Sequence, residues 1–353
     1  MPDIACIATR LKGWLKAFLG RCEPGLVPFT ANSDRIPPSA GTGLSPSVLG
    51  LKAAMQTGLW AGFPPDVREA WIDRILSFQS QKTFPEHGFF VDRPVEALLD
   101  KPPLWPRVLF HPWRLPLWLW RMGTLRQTWA ALSAAGAGGR VATPVALQDE
   151  RFVRRWWRGI NRMPDLWARY AHVSAAVTIL WLARRYGAPL PVSPEEALGN
   201  FDWEGALKGL SQAPPKTAVS GAMKLVTLSD LVGKPLPWPE RMIDLALAVP
   251  RAEHVCYLLN PLCVLDRAAR LSHHRSAEVA AFRQERSGRL QDFLAPDGGA
   301  MTTTRGSIVR YNHLKVGRGA REGDVHGAHM VAWALTLLAR AEGIELGWTE
   351  PPT

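Results

Sequence analysis

The chain has only four cysteines in 353 residues, Cys6, Cys22, Cys256 and Cys263, and none stands in a C-x-x-C pair. That spacing excludes a dense disulfide framework and reads as the reduced thiols of a cytoplasmic protein. Long apolar runs are missing too. No stretch approaches the about 18 uninterrupted apolar residues that a spanning helix needs, and the N-terminus, with Asp3 and no apolar segment before a cleavage site, carries no secretory signal. Persistent polar–apolar alternation is absent, which excludes a β-rich fold. Lysine and arginine never gather into a long run, and no helix-turn-helix, RNA-recognition or zinc-finger pattern occurs, so nucleic acid is not the expected partner.

Hydrophobic residues make up 47% of the chain and charged residues 21%, enough for a large core and against global disorder. The excess of 42 Lys and Arg over 31 Asp and Glu gives +11, which favours anionic partners. Sixteen tryptophans exceed what packing alone needs. A tryptophan ring needs burial and its N–H a partner, so the surplus points to aromatic walls around a ligand or to rings at a membrane interface.

Helical periodicity covers most of the chain. The spacing predicts helices near 4–20, 47–61, 65–80, 113–134, 149–162, 164–186, 217–232, 238–249, 252–271, 275–294 and 325–342, with shorter pieces near 94–100 and 203–211. Proline and glycine clusters such as PVSPEEALGN and GKPLPWPE separate them. The expected fold is all-α, with an amphipathic segment and linker over 1–35 and one domain over 36–353.

Two stretches share a scheme. In 71–93 a helix ends at Phe78-Gln79 and is followed by Gly88-Phe89, and in 289–305 a helix ends at Phe293 and is followed by Asp297-Gly298-Gly299. The glycines supply the positive-φ turn that ends a helix. With DVHGAHMVAWALTLL after it, this unit resembles the repeats of prenyltransferase and squalene-cyclase-like α/α toroids. The resemblance implies a closed barrel of inner and outer helices around a central cavity, with an apolar or amphiphilic, isoprenoid-like small molecule as its cargo.

Within 325–342, His326, His329, Trp333, Thr336 and Arg340 recur every three or four residues and share one face. Asp324 is placed as the N-cap. The stripe predicts a cavity wall in which His326 and His329 act as acid and base, Trp333 and Thr336 touch the ligand, and Arg340 receives a phosphate or carboxylate. The plainer alternative is that both histidines bond neighbouring carbonyls. A second stripe, Tyr170, Ser174, Thr178 and Trp181, would add Tyr170 and Trp181 as a π-wall able to stabilise cationic character; its plainer alternative is hydroxyls bonding back one turn.

The chemistry of the resembled families meets this sequence unevenly. Neither a D-x-D-D acid nor a D-D-x-x-D metal cluster occurs. Where zinc prenyltransferases carry Asp-x-Cys, this chain has His254-x-Cys256-Tyr257, so that His254, Cys256 and His329 would be the ligands of a zinc. Polysaccharide lyases also use α/α toroids, and Arg310-Tyr311-Asn312-His313 offers their residue types, which with the basic charge makes an acidic glycan an alternative substrate. A non-catalytic toroid that binds a protein partner in an assembly is the other alternative. Two segments predict contact with an anionic membrane surface: 4–20, where Leu11, Trp14, Leu15 and Phe18 face away from Arg10, Lys12 and Lys16, and the Trp- and Arg-rich 104–122.

Overall fold

The computed structural model describes residues 3–32, 43–82, 86–93, 95, 96, 115–161, 163, 165–199, 201–234, 236–311 and 314–351. Among the described residues the protein is all-α, with a single two-stranded antiparallel ribbon. The helices are α1 (Ile4–Leu19), α2 (Leu44–Gln56), α3 (Pro65–Leu76), α4 (Leu115–Ala134), α5 (Glu150–Asn161), α6 (Leu166–Arg185), α7 (Pro194–Gly199), α8 (Trp203–Gln212), α9 (Pro215–Val232), α10 (Pro239–Leu247), α11 (Val255–Ala268), α12 (Ser276–Arg289) and α13 (Val325–Ala341). The ribbon pairs β1 (Arg310–Tyr311) with β2 (Leu314–Lys315).

Six of these helices contact one another in a cycle. Helix α2 packs on α4, α4 on α6, α6 on α9, α9 on α11, α11 on α13, and α13 returns to α2. The rest attach outside it: α1 on α13 and α2, α3 on α2, α5 and α7 on α6, α8 on α9, and α10 and α12 on α11. The sequence explains the division. Helix α13 is buried from Val325 to Ala339 apart from His326 and Met330, and its alanines let neighbouring backbones approach. Helix α5 instead buries only Val153, Trp156 and Ile160 and turns its arginines outward. Each fully buried Leu, Val or Trp stabilises the packed state by about 1.5–3 kcal/mol relative to exposure, so these inner helices are held mainly by that burial.

Helix α1 belongs to the core. Asp3 caps it by accepting from the amides of Ala5 (2.9 Å) and Cys6 (3.2 Å). Its face of Leu11, Trp14, Leu15 and Phe18 is buried in the protein's main hydrophobic cluster. The boundary expected at 35 therefore does not separate an extension from a domain, and the apolar face expected to meet a membrane is covered by α13 and α2. An amphipathic stripe reads the same whether protein or lipid covers it. Most of the Trp-rich segment at 104–122 lies outside the described residues. No described helix is long and apolar enough to cross a membrane.

Turn chemistry positions the last helix. Gly298 has φ +94°, a left-handed conformation suited to glycine, in the turn before Gly299. Asp297 accepts from the amides of Gly299 (3.0 Å) and Gly323 and from the indole of Trp14 (3.1 Å), tying α1 to the approach of α13. At Gly327 a Cβ would lie 2.6 Å from the Ala300 carbonyl and 2.8 Å from the Thr302 amide, so only glycine lets residues 300–302 lie against the first turn of α13. In the earlier unit Gln79 does the equivalent work: its amide donates to the carbonyls of Gly88 and Ala142 (2.8 Å each) and accepts from the Ala142 amide. Helix α7 was not expected, because PVSPEEALGN reads as a linker. After α13, residues 344–351 run without regular structure back across the cycle, where the Thr349 amide donates to the Gln56 carbonyl (3.0 Å).

Candidate functional site

Inside the cycle lies a cavity of about 560 Å³. Helices α2, α4, α9, α11 and α13 line it, together with Thr302, Ile308, β1 and Pro351. Its charge is one-sided. Lys52, Arg126, Lys216, Lys224 and Arg310 reach its wall, and no aspartate or glutamate does among the described residues. Arg126 is 8% exposed and its Nε has no hydrogen-bond partner. Burial pulls its guanidinium down to about 10, still charged at neutral pH. Burial, with Arg126 beside it, pulls Lys224 down to about 8, and burial with both neighbours holds Lys52 well below an ordinary ammonium. Arg126 and Lys224 kept this close, with no carboxylate from the described residues on the wall, are an unfavourable arrangement that an entering anion relieves.

Three histidines reach the same wall, each fixed by a different partner. Asp324 caps α13 and is fully buried. It accepts from the Thr302 amide (2.8 Å), the Thr302 hydroxyl (2.8 Å), the Ile308 amide (2.9 Å) and the Gly327 amide (2.6 Å). Burial nonetheless raises its carboxyl to about 6, leaving it mainly ionised at pH 7. The Thr302 hydroxyl has one proton and gives it to Asp324. Its oxygen, 3.1 Å from His326 Nδ1, must therefore accept there, which places the His326 proton on Nδ1 and leaves Nε2 as a free base. Burial and the neighbouring His254 pull His326 down to about 3.

His254 is set the opposite way. It is the N-cap of α11, and its Nδ1 accepts from the Cys256 amide (3.1 Å), so its proton stands on Nε2. The two rings lie 6.3 Å apart, one an acceptor and the other a donor. Tyr311 (5.9 Å from the His326 ring) and Tyr257 (5.8 Å from the His254 ring) complete the group. His329 places Nδ1 2.7 Å from the Gln56 side-chain oxygen and is held neutral chiefly by burial. Among the described residues, neither His326 nor His329 bonds a neighbouring backbone carbonyl.

The remaining expected site residues divide clearly. Trp333 lines the cavity and is the only tryptophan on its wall among the described residues; its indole donates to Glu350 (2.9 Å), which is not itself on that wall. The others described there fill packing sites, as Trp129 does, fully buried with its indole on the Gly138 carbonyl (3.0 Å). Tyr170 points outward to α8, donating to the Ala206 carbonyl (2.9 Å) and packing on Phe201. Trp181 is half-buried under the Arg185 guanidinium. Thr336 bonds back to the Ala332 carbonyl (2.9 Å). Arg340 sits at the far end of α13, paired with Asp266 (2.7 Å) and Glu350 (2.7 Å). Tyr170, Trp181, Thr336 and Arg340 are thus structural, because packing, back-bonding or ion pairs absorb the polar groups that the helical stripe aligned.

The zinc expectation is corrected as well. No group of three His, Cys, Asp or Glu among the described residues could hold a metal. His254 spends Nδ1 on its own helix, burial raises the Cys256 thiol to about 11, and His329 is engaged by Gln56. Sequence reasoning missed Lys52, Arg126 and Lys224, single cations on otherwise apolar helical faces. Their signal, a charge on a buried face with no acid one turn away, was present but unread. Of Arg310-Tyr311-Asn312-His313, the first two reach the wall and the last two lie outside the described residues. Comparison of the chain with protein-family models, with curated proteins and with solved structures gave no match.

Proposed function

We propose that the protein is an α/α toroid whose central cavity binds an anionic small molecule, or the end of an anionic chain, and moves a proton on it. The cycle of six helices with the others outside it supports the toroid. The observation that carries the function is the wall itself: Arg126, a buried guanidinium with an unpartnered Nε, stands beside the buried Lys224, and no carboxylate among the described residues lines that wall. That wall repels a developing carbocation, so isoprenoid cyclisation is not the chemistry we assign. The anion sits on Arg126 and Lys224. A carboxylate neutralised there acidifies the adjacent C–H, His326 Nε2 takes the proton, and His254 Nε2–H or a tyrosine hydroxyl returns one to the departing oxygen. A uronate of an acidic glycan fits this description.

A ligand panel tests the reading. Uronates, phosphates and 2-hydroxy acids are compared with neutral analogues by thermal shift, and formation of new C=C bonds is followed by absorbance. An anion at about 100 times its Kd stabilises the folded state by about 2.7 kcal/mol. Arg126→Met should lower affinity by roughly tenfold to a hundredfold, the range of a lost charge-assisted hydrogen bond, while leaving the unliganded protein as stable or more so. Equal shifts from anions and neutral analogues would falsify it.

A further inference from the structure

Asn260 lies on α11, 7% exposed, with its side chain on the cavity wall. Its Nδ2 donates to the Ser220 hydroxyl oxygen (3.1 Å) across to α9, and Ser220 gives its own proton to the Lys216 carbonyl one turn back (2.8 Å). A hydroxyl has one proton, so Ser220 can only accept from Asn260, and this fixes which way round the carboxamide stands. The nitrogen lies on Ser220 and the oxygen, Oδ1, is turned away from it, with no donor among the described residues bonded to it.

A cation stands beside this oxygen. Ser220 and Lys224 are one turn apart on one face of α9. The Lys224 charge acts on Cys256 and Cys263, which stand one turn before and one turn after Asn260 on α11. An anion on Lys224 therefore meets Asn260 as well. A plain carboxylate accepts from Lys224 and Arg126 but has no proton to offer Oδ1. Covering that oxygen with nothing to bond it costs more than the bond itself would contribute.

From this juxtaposition we propose that Asn260 selects among anions: its Oδ1 accepts a hydrogen bond from a hydroxyl of the ligand whose anionic group rests on Lys224 and Arg126. The site then takes hydroxy acids, sugar acids included, in preference to plain carboxylates. The proposal rests on the cavity being an anion site and names the class of anion that the site takes.

The test uses the intact protein and two matched pairs of probes, lactate with propionate and glucuronate with cyclohexanecarboxylate. Each pair shares a carboxylate and differs in its hydroxyls. Calorimetric titration should give the hydroxylated member roughly tenfold to a hundredfold tighter binding, the range for a buried acceptor left unpaired in its competitor. Asn260→Leu, close in volume and without an acceptor, should abolish that ratio by weakening the hydroxylated probes and sparing the plain ones. Asn260→Ala makes the same test should leucine not fit, because the ratio within one variant is independent of that variant's stability. Equal affinities within each pair in the unaltered protein overturn the proposal, and if both still outbind neutral analogues the anion cavity stands. A ratio that survives in the variants overturns the assignment to Asn260. Binding of none of the four probes removes the cavity reading as well.

Discussion

The two ends of α13 handle positive charge in opposite ways. At its C-terminal end Arg340, Arg267 and Arg270 converge on Asp266, and Glu350 from the last described turn of chain joins Arg340 (2.7 Å) and Arg267 (2.5 Å). Each cation there has a carboxylate. At the N-terminal end Arg126 and Lys224 face a cavity that no carboxylate among the described residues lines, and nearby Asp324 is committed to four donors. Arginine thus has two meanings in one fold. Paired, it fastens elements; buried with its Nε unpartnered, it is the group on which the proposed anion site rests.

The largest expected effect comes from breaking the balanced end. Asp266→Asn removes the negative charge that Arg267, 14% exposed at its side chain, shares with Arg270 and Arg340. Stability should fall by about 2 kcal/mol, the range of lost charge-assisted hydrogen bonds, since Glu350 still pairs Arg267 and Arg340. Denaturant unfolding measures this, and a loss below about 1 kcal/mol would make that network decorative.

Acid sharpens the contrast next. His326 and His172, pulled down to about 3 and 4 by burial, stay neutral when folded but gain protons near pH 6.5 when unfolded. The unfolded state therefore binds more protons between about pH 6.5 and 3–4, and stability drops as pH falls through that window. Each such histidine contributes on the order of 1 kcal/mol per pH unit at full effect. Asp324, raised to about 6, opposes them between its unfolded value and 6, since it binds its proton more readily in the folded state. A melting series from pH 7 to 4 should show the decline, and His172→Gln should flatten it.

Thr302→Val probes the unbalanced end more gently. It removes the hydroxyl between Asp324 and His326 and should cost about 1–2 kcal/mol, the penalty of leaving buried polar groups unmatched. It should also release the His326 tautomer, visible as changed 15N shifts of the ring. Tyr170→Phe should do least. It forfeits one hydrogen bond to Ala206, about 1 kcal/mol, and leaves ligand binding unaltered. Altered affinity in that variant would place Tyr170 nearer the cavity than its geometry does.

Much of the helical order was legible in the sequence because periodicity and caps are local. Asp324 could be named as an N-cap from its place alone, and His326, His329 and Trp333 from their spacing. That spacing says which residues share a face of a helix, but α13 is buried on nearly every face, so it could not say that Thr336 and Arg340 leave the cavity. Tyr170 and Trp181 misled for the same reason. Each cation was visible as a charge on an apolar helical face, but that Arg126 and Lys224 meet on one wall is a property of several helices together. The partner of His329, Gln56, could not have been inferred at all.

That last contact carries a consequence for how the molecule comes into being. Gln56 and His329 are 273 residues apart, and the bond between them lies where α13 meets α2 to complete the cycle. A chain emerging from the ribosome makes α2 early and must hold its inner face uncovered until α13 is released. Contacts of such long sequence separation slow folding and leave sticky surface open meanwhile. Synthesis of this protein thus includes an interval in which nearly all of its helices exist and its interior still does not, and a chaperone that shelters the open arc would find its client there.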